Sequence, residues 1–143
     1  MTFDKPEEMI ITLISQNRGT HNFINKDKLI NLAFENGVKD VSDKMDKKDI
    51  AVAFAKQIGY AELAKLAAVG VSSYDLQKKF GITNNEVKKM ARAGFITIVG
   101  TESFRMYGKT RHANIYSPYD YFKSEEEVIS WLVEHSRKRR NKK

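Results

Sequence analysis

The chain of 143 residues contains no cysteine. This excludes disulfide bonds, thiolate metal ligands and cysteine nucleophiles, and it is compatible with a reducing cytoplasm. No apolar run approaches the roughly 20 residues that span a bilayer. The first apolar stretch, Met9–Ile14, is interrupted by Thr12 and follows acidic residues, so it makes a poor signal peptide. We therefore expect a soluble, cytoplasmic protein without a membrane partner.

Signatures of catalysis are also missing. The three histidines (His21, His112 and His135) are scattered and form no H-x-x-x-H pair. There is no glycine-rich phosphate loop, no G-x-S-x-G elbow and no EF-hand loop. Acidic pairs such as Asp46 and Asp49 lie at predicted helix starts, where capping explains them. The sequence predicts that the protein is not an enzyme and uses no metal or cofactor.

The charge is unevenly distributed. The formal net charge is +7. Residues 78–115 carry eight basic and two acidic side chains, whereas residues 1–50 are nearly balanced and residues 116–136 are acidic. The tail, 137–143 ("RKRRNKK"), holds six basic residues in seven. Concentrated positive charge favours an anionic partner, most often nucleic acid, and a basic tail near DNA adds salt-sensitive affinity. The alternative for the tail is a solvated, solubilising end.

Helical apolar spacing predicts four helices before residue 70. The first begins near Pro6, the second covers about Lys26 to Asn36, the third runs from Lys47 or Lys48 to Ile58, and the fourth follows Gly59. The predicted inner face of the second helix consists of Leu29, Ile30, Ala33 and Phe34. Residues 27–59 resemble the SAP and Rho N-terminal helix–extended loop–helix motif. That resemblance implies nucleic-acid binding, but the near-neutral charge equally favours a structural subdomain.

The segment 71–95, "VSSYDLQKKFGITNNEVKKMARAGF", predicts two short helices joined by a Gly-Ile-Thr turn. Ser72 or Ser73 can cap the first helix and Thr83 the second. The inner side is apolar, with Leu76, Phe80, Ile82, Val87 and Met90. Outside remain Asn84, Asn85, Lys88, Lys89 and Arg92, and these side chains have the geometry to contact base edges and phosphates.

The stretch "LAKLAAVGVSSYDLQKKFGITNNEVKKMARAGFITI" resembles the winged helix-turn-helix family of DNA-binding proteins. The resemblance covers about residues 60–118. It implies a recognition helix at 83–93 that enters the major groove of double-stranded DNA, with Thr83, Asn84, Asn85, Lys88, Lys89 and Arg92 as contacts. Gln77 departs from the family pattern, which prefers Ala there for close helix contact.

After this motif, "FITIVG", "SFRMYG" and "ANIYSP" predict short strands, and "GKTRHAN" between the last two predicts a basic wing tip. A wing at residues 105–112 would contact the DNA backbone or minor groove. The candidate wing residues are Arg105, Lys109, Arg111 and His112.

The C-terminal part begins with an aromatic cluster, "YSPYDYF". It either covers the sheet or stacks on unpaired bases, and the first interpretation is favoured. Ser124 and Glu127 predict a capping box for a last helix. Its apolar stripe, Val128, Trp131, Leu132 and His135, either docks on the domain or pairs with a second copy. A homodimer through Val128, Trp131 and Leu132 is favoured, since winged-helix proteins often dimerise through an appended helix.

Together these features predict a mainly α protein with a small antiparallel β-hairpin. The predicted divisions are an N-terminal helical subdomain (1–59), a winged-helix DNA-binding domain (60–123), and a C-terminal helix with a basic tail (124–143). The predicted function is sequence-specific binding of double-stranded DNA by a nucleoid-associated transcriptional regulator of bacterial, phage or plasmid origin. Two alternatives are a winged-helix module that binds or inhibits a host protein, and a DNA replication or packaging accessory protein.

Overall fold

The computed structural model describes residues 3–15 and 24–137. The part of the chain described is mainly helical, with one two-stranded antiparallel sheet. A π-helical turn at Val133–Arg137 follows the last α-helix. In chain order the elements are α1 (Pro6–Ile14), α2 (Lys26–Glu35), α3 (Lys47–Ile58), α4 (Tyr60–Ala67), α5 (Ser73–Phe80), α6 (Asn84–Arg92), β1 (Ile98–Met106), β2 (Lys109–Tyr116), α7 (Pro118–Tyr121) and α8 (Glu125–Leu132). His21 and the tail beyond Arg137 lie outside the described residues.

Two hydrophobic cores lie side by side. The first is formed by α1 to α4 and includes Phe54 and Leu63, which are fully buried. The second contains the apolar sides of α5, α6 and α8. Helix α1 joins the two, because Ile10 points into the first core and Met9 into the second. The predicted division at residue 59 differs from this packing: α4 shares the first core with α1 to α3, so the packing changes near Gly70.

The helix–loop–helix at residues 27–59 is present. Asn25 caps α2 and Asp46 caps α3 through side-chain oxygens that accept backbone N–H groups. The connecting loop is held to α3 by a reciprocal pair of hydrogen bonds: the Lys39 N–H donates to the Gln57 carboxamide oxygen (2.8 Å), and the Gln57 amide donates to the Lys39 carbonyl (2.7 Å). The predicted inner face was wrong at Phe34, whose side chain is 70% exposed.

Helix α8 packs within its own chain. Val128 and Leu132 are 1% and 0% exposed in the second core, beside Leu76 and Met90. Trp131 is half-buried and stacks on Phe95, with ring centroids 5.1 Å apart. The predicted homodimer through Val128, Trp131 and Leu132 has no support here, because the two aliphatic side chains already fill an intramolecular core. Ser124 caps α8 by accepting the Glu127 N–H (3.0 Å), and the Glu127 carboxylate lies 3.6 Å from the Lys123 Nζ.

The β-hairpin differs from the prediction. Parts of the two stretches predicted as separate strands, "FITIVG" and "SFRMYG", belong to the single strand β1, which begins at Ile98 and ends at Met106. The pairing of β1 with β2 is irregular between Ile98 and Gly100. Strand β2 returns after the two-residue turn Tyr107–Gly108. At the base of the hairpin, Val71 and Tyr116 exchange both backbone hydrogen bonds (2.9 and 2.8 Å). The bridge fastens the hairpin to the segment that precedes α5.

The aromatic cluster "YSPYDYF", which begins with the last residue of β2, packs into the protein, in agreement with the favoured interpretation. Tyr116 is 2% exposed. The Tyr119 hydroxyl donates to the Glu7 carboxylate (2.9 Å), which ties α7 to α1, and burial together with this bond raises the pKa of Tyr119 to about 12. The rings of Tyr121 and Phe122 lie 4.3 and 5.0 Å from the Lys79 Nζ. Both rings therefore already contact a cation of the same chain.

Asp120 is a buried carboxyl group at the base of the hairpin. Its side chain is 6% exposed and accepts the Thr97 N–H at 2.7 Å. Burial raises the pKa of Asp120 from 3.8 to about 6, although the Thr97 hydrogen bond and the charge of Lys123 act in the opposite direction. Because the native state binds the proton more tightly than the unfolded chain, this group lowers stability as the pH rises from about 4 to 6.

We predict that Asp120→Asn stabilises the protein at pH 7. The asparagine oxygen can still accept the Thr97 N–H, and no buried charge remains. The gain in free energy of unfolding at pH 7 should be on the order of 1–3 kcal/mol, and little or none at pH 3.5. Urea denaturation of both proteins at a series of pH values measures this. An equal difference in stability at pH 3.5 and pH 7 would contradict it.

Candidate nucleic-acid interface

A capping box begins each of the two helices α5 and α6, which form a helical hairpin. Ser72 accepts the Asp75 N–H (3.1 Å), and the Asp75 carboxylate accepts the Ser72 N–H (3.1 Å). Thr83 and Glu86 repeat the arrangement at α6 with distances of 3.2 and 3.0 Å. This explains why Glu86, the only acid of α6, is 7% exposed. The outer face of α6 is therefore left without a negative charge.

The turn between these helices depends on glycine. Gly81 has a φ of +64°, which glycine adopts without the steric cost that a side chain imposes. The next residue, Ile82, is buried, and its N–H donates to the Gln77 carbonyl at 3.2 Å. Val87 and Met90 cover the inner side of α6. The two predicted short helices and their Gly-Ile-Thr turn are thus present, with the predicted apolar inner side.

The predicted outer side chains of α6 are all exposed: Thr83, Asn84, Asn85, Lys88, Lys89 and Arg92. In the described part of the chain, no side-chain hydrogen bond or ion pair involves Asn85, Lys88 or Arg92. Carboxamides can bind adenine edges, and lysine and arginine can bind guanine or phosphate. The exposed helix therefore presents donors for anionic and base-edge acceptors.

Asn84 is positioned by the preceding helix. Its side-chain oxygen accepts the Ser73 hydroxyl at 2.6 Å, and the Gln77 amide donates to that Ser73 oxygen at 3.0 Å. Ser72 is the N-cap of α5, which leaves Ser73 for this contact. Gln77, at the position where the resembled family prefers alanine, is half-buried and belongs to this series of hydrogen bonds. Sequence reasoning missed this role of Ser73 and Gln77 because the partners lie on different helices.

A groove of about 500 Å³ separates α6 from the base of the hairpin. Helix α6 contributes Lys88, Ala91 and Arg92, and the hairpin contributes Ile98, Asn114 and Tyr116. Ile98 is 43% exposed, so the groove has an apolar wall beside two cations and a carboxamide. Ile98 and Asn114 were not among the predicted site residues, because their proximity to α6 depends on how the hairpin is attached.

The predicted wing residues lie on opposite faces of the hairpin. Cross-strand partners share a face, and successive residues alternate. Arg105 pairs with Thr110 and His112 with Ser103, so Arg105 and His112 share the face of Asn114. Lys109 and Arg111 lie on the other face. All four are exposed, but they belong to the strands, and the tip itself is Tyr107–Gly108. Of the predicted tip "GKTRHAN", only Gly108 lies in the turn, and the other six residues belong to β2.

Two of these wing residues are held by neighbours. The Arg105 guanidinium donates to the Gly108 carbonyl at 3.2 Å. The His112 Nδ1 lies 2.9 Å from the Ser103 hydroxyl. Both contacts lie in the outer half of the hairpin, and Arg105 and His112 remain exposed on the face that continues toward the α6 groove.

A second groove, of about 390 Å³, lies on the other side of α6. It is lined by Lys89, Arg92, Ala93, Trp131 and His135. The His135 ring stacks on Trp131 with centroids 4.3 Å apart, and its Nδ1 lies 2.9 Å from the Trp131 carbonyl. Arg92 lines both grooves, so the outer face of α6 forms a ridge between the hairpin on one side and α8 on the other.

Within residues 3–15 and 24–137, no three histidine or acidic side chains come together as a metal site would require. None of the helices described there has the length and apolar character needed to cross a bilayer. No family model matches the sequence, and the comparisons with curated proteins and with solved structures found no match.

Proposed function

We propose that the protein is a non-enzymatic, sequence-specific double-stranded DNA-binding protein, and that it acts as a transcriptional regulator of the winged helix-turn-helix type. Helix α6 would enter the major groove, with Asn84, Asn85, Lys88 and Arg92 as its principal contacts. The β-hairpin would act as the wing.

The observation that carries this proposal is the outer face of α6. This face is exposed and carries amide and basic side chains. The only acidic residue of α6, Glu86, is buried in a capping box. An α-helix fits the major groove of B-DNA, and these residue types match its donor and acceptor pattern. The adjacent hairpin adds Arg105, Lys109 and Arg111, which suit phosphate contacts.

The test is a selection of bound duplexes from random double-stranded DNA at moderate salt. Enrichment of a defined sequence supports a regulator. Salt-dependent binding without enrichment would indicate a replication, packaging or architectural protein instead. Absence of duplex binding at low salt would overturn the proposal, since phosphate contacts alone should give measurable affinity there.

A further inference from the structure

The tip of the hairpin carries an aromatic side chain in an unfavourable position. Tyr107 is 92% exposed and has a φ of +53°. With Gly108 at +77°, it forms a two-residue turn in which both central residues have positive φ, and such turns prefer asparagine, aspartate or glycine. A bulky side chain in this region is uncommon and strained. Tyr107 therefore lowers the stability of the turn and contributes nothing to a core.

Cations flank this ring on both faces of the hairpin. Arg105 precedes the turn on one face, and Lys109 and Arg111 follow it on the other. From Gly100 to the turn, six residues of extended strand project the ring about 20 Å along the hairpin. The end of the hairpin is thus a narrow element with an exposed ring at its tip and positive charge on each side.

The minor groove of duplex DNA matches this arrangement. It is bordered by two phosphate backbones and is about 6 Å wide, so it admits a ring but not a broad element. Cations on opposite faces of the hairpin can each approach a different backbone. Aromatic and apolar side chains that enter the minor groove partly unstack a base step, most readily at flexible pyrimidine–purine steps.

We propose that Tyr107 is a wedge that inserts into the minor groove and partly unstacks a base step, while Arg105 and Lys109 contact the two bordering backbones. This inference rests on the proposed function, since it requires that the protein binds duplex DNA. It assigns to the hairpin tip a role separate from phosphate contact.

The experiment compares the full chain with Tyr107→Asn and Tyr107→Phe on a 40-bp duplex of mixed sequence. The duplex carries 2-aminopurine at TA steps, and its fluorescence reports unstacking. Asparagine suits the turn, so Tyr107→Asn should fold at least as stably as the parent chain, which thermal denaturation verifies. Phenylalanine keeps the ring and serves as the matched control.

We expect the parent chain and Tyr107→Phe to raise the fluorescence on binding. Tyr107→Asn should give less than half that rise at saturation. Its affinity should fall about 5- to 100-fold, which is the range for loss of one stacked aromatic ring. The slope of affinity against salt should not change, because no charge is removed.

The outcomes separate the two proposals. If the parent chain binds duplex DNA but Tyr107→Asn matches it in affinity and fluorescence, the wedge is wrong and DNA binding stands. The ring would then serve another partner, such as a protein. If the parent chain does not bind duplex DNA even at low salt, the proposed function fails and the wedge fails with it.

Discussion

Replacing Lys88 and Arg92 together by glutamine is expected to weaken duplex DNA binding by about 10- to 100-fold at moderate salt, because each contact to a base edge or phosphate contributes on the order of 1 kcal/mol or more. Both side chains are exposed on the same side of α6 and line the groove beside the hairpin. Neither forms a hydrogen bond or ion pair within the described residues, so the fold should tolerate the change. Their removal deletes positive charge at the centre of the proposed interface.

The salt dependence gives a second readout of the same variant. Each phosphate contact releases counterions and contributes about 0.9 to the slope of log affinity against log salt. We expect the slope to decrease by about 1 to 2 in the double variant. Fluorescence anisotropy with one labelled duplex at four salt concentrations measures both affinity and slope.

The matched control is Lys48→Gln with Lys56→Gln. These two lysines are exposed on α3, which belongs to the first core, and their replacement removes the same net charge. If the control weakens binding as much as the α6 variant does, the affinity reflects total charge and the α6 interface is wrong. Equal binding by the α6 variant and the parent chain would also contradict the assignment.

Gly70→Ala is expected to destabilise the protein severely. A Cβ atom at Gly70 would lie 2.1 Å from the Tyr116 carbonyl oxygen, which accepts the Val71 N–H. The backbone must shift to relieve this contact, and the shift disturbs the bridge that fastens the hairpin to the segment before α5. Overpacking and a damaged buried hydrogen bond together cost on the order of 3 kcal/mol or more, which lowers the melting temperature by roughly 10 °C.

Gly37→Ala is the control for the loss of glycine itself. Gly37 has a φ of +71° and nothing within 4 Å of the added atom, so only backbone strain of about 1 kcal/mol is expected. Thermal and urea denaturation of both variants give the comparison. A cost at Gly70 no greater than that at Gly37 would show that the close approach of the two backbone segments does not limit the fold.

Local sequence signals predicted the helices well. The bounds of α2 and α3 agree within a residue with those expected from apolar spacing, because Asn25, Asp46, Gly37 and Gly59 act on their own helix ends. The outer face of α6 was predicted for the same reason. Its periodicity, its capping residue and its buried positions lie within ten consecutive residues.

Sequence patterns were insufficient where two distant segments decide the outcome. By its pattern, the apolar stripe of α8 could pack against a second copy of the chain. In the structure, Val128 and Leu132 pack in the second core with α5 and α6 of the same chain. Strand β1 was divided at Gly100, yet the strand continues there, and an added Cβ would lie 2.7 Å from the Ala68 side chain. A local sequence pattern does not show which distant residues become neighbours in the fold.

Capping and apolar periodicity are short-range effects, so the amino-acid sequence was enough to predict the ends of α2 and α3 and the polar side of α6. The arrangement of polar groups around α6 depends instead on the fold. The contact of Ser73 with Asn84, the groove between Lys88 and Asn114, and the separation of Arg105 from Lys109 on opposite faces depend on packing and strand register. Packing and register couple residues far apart in the chain, so no local pattern encodes them.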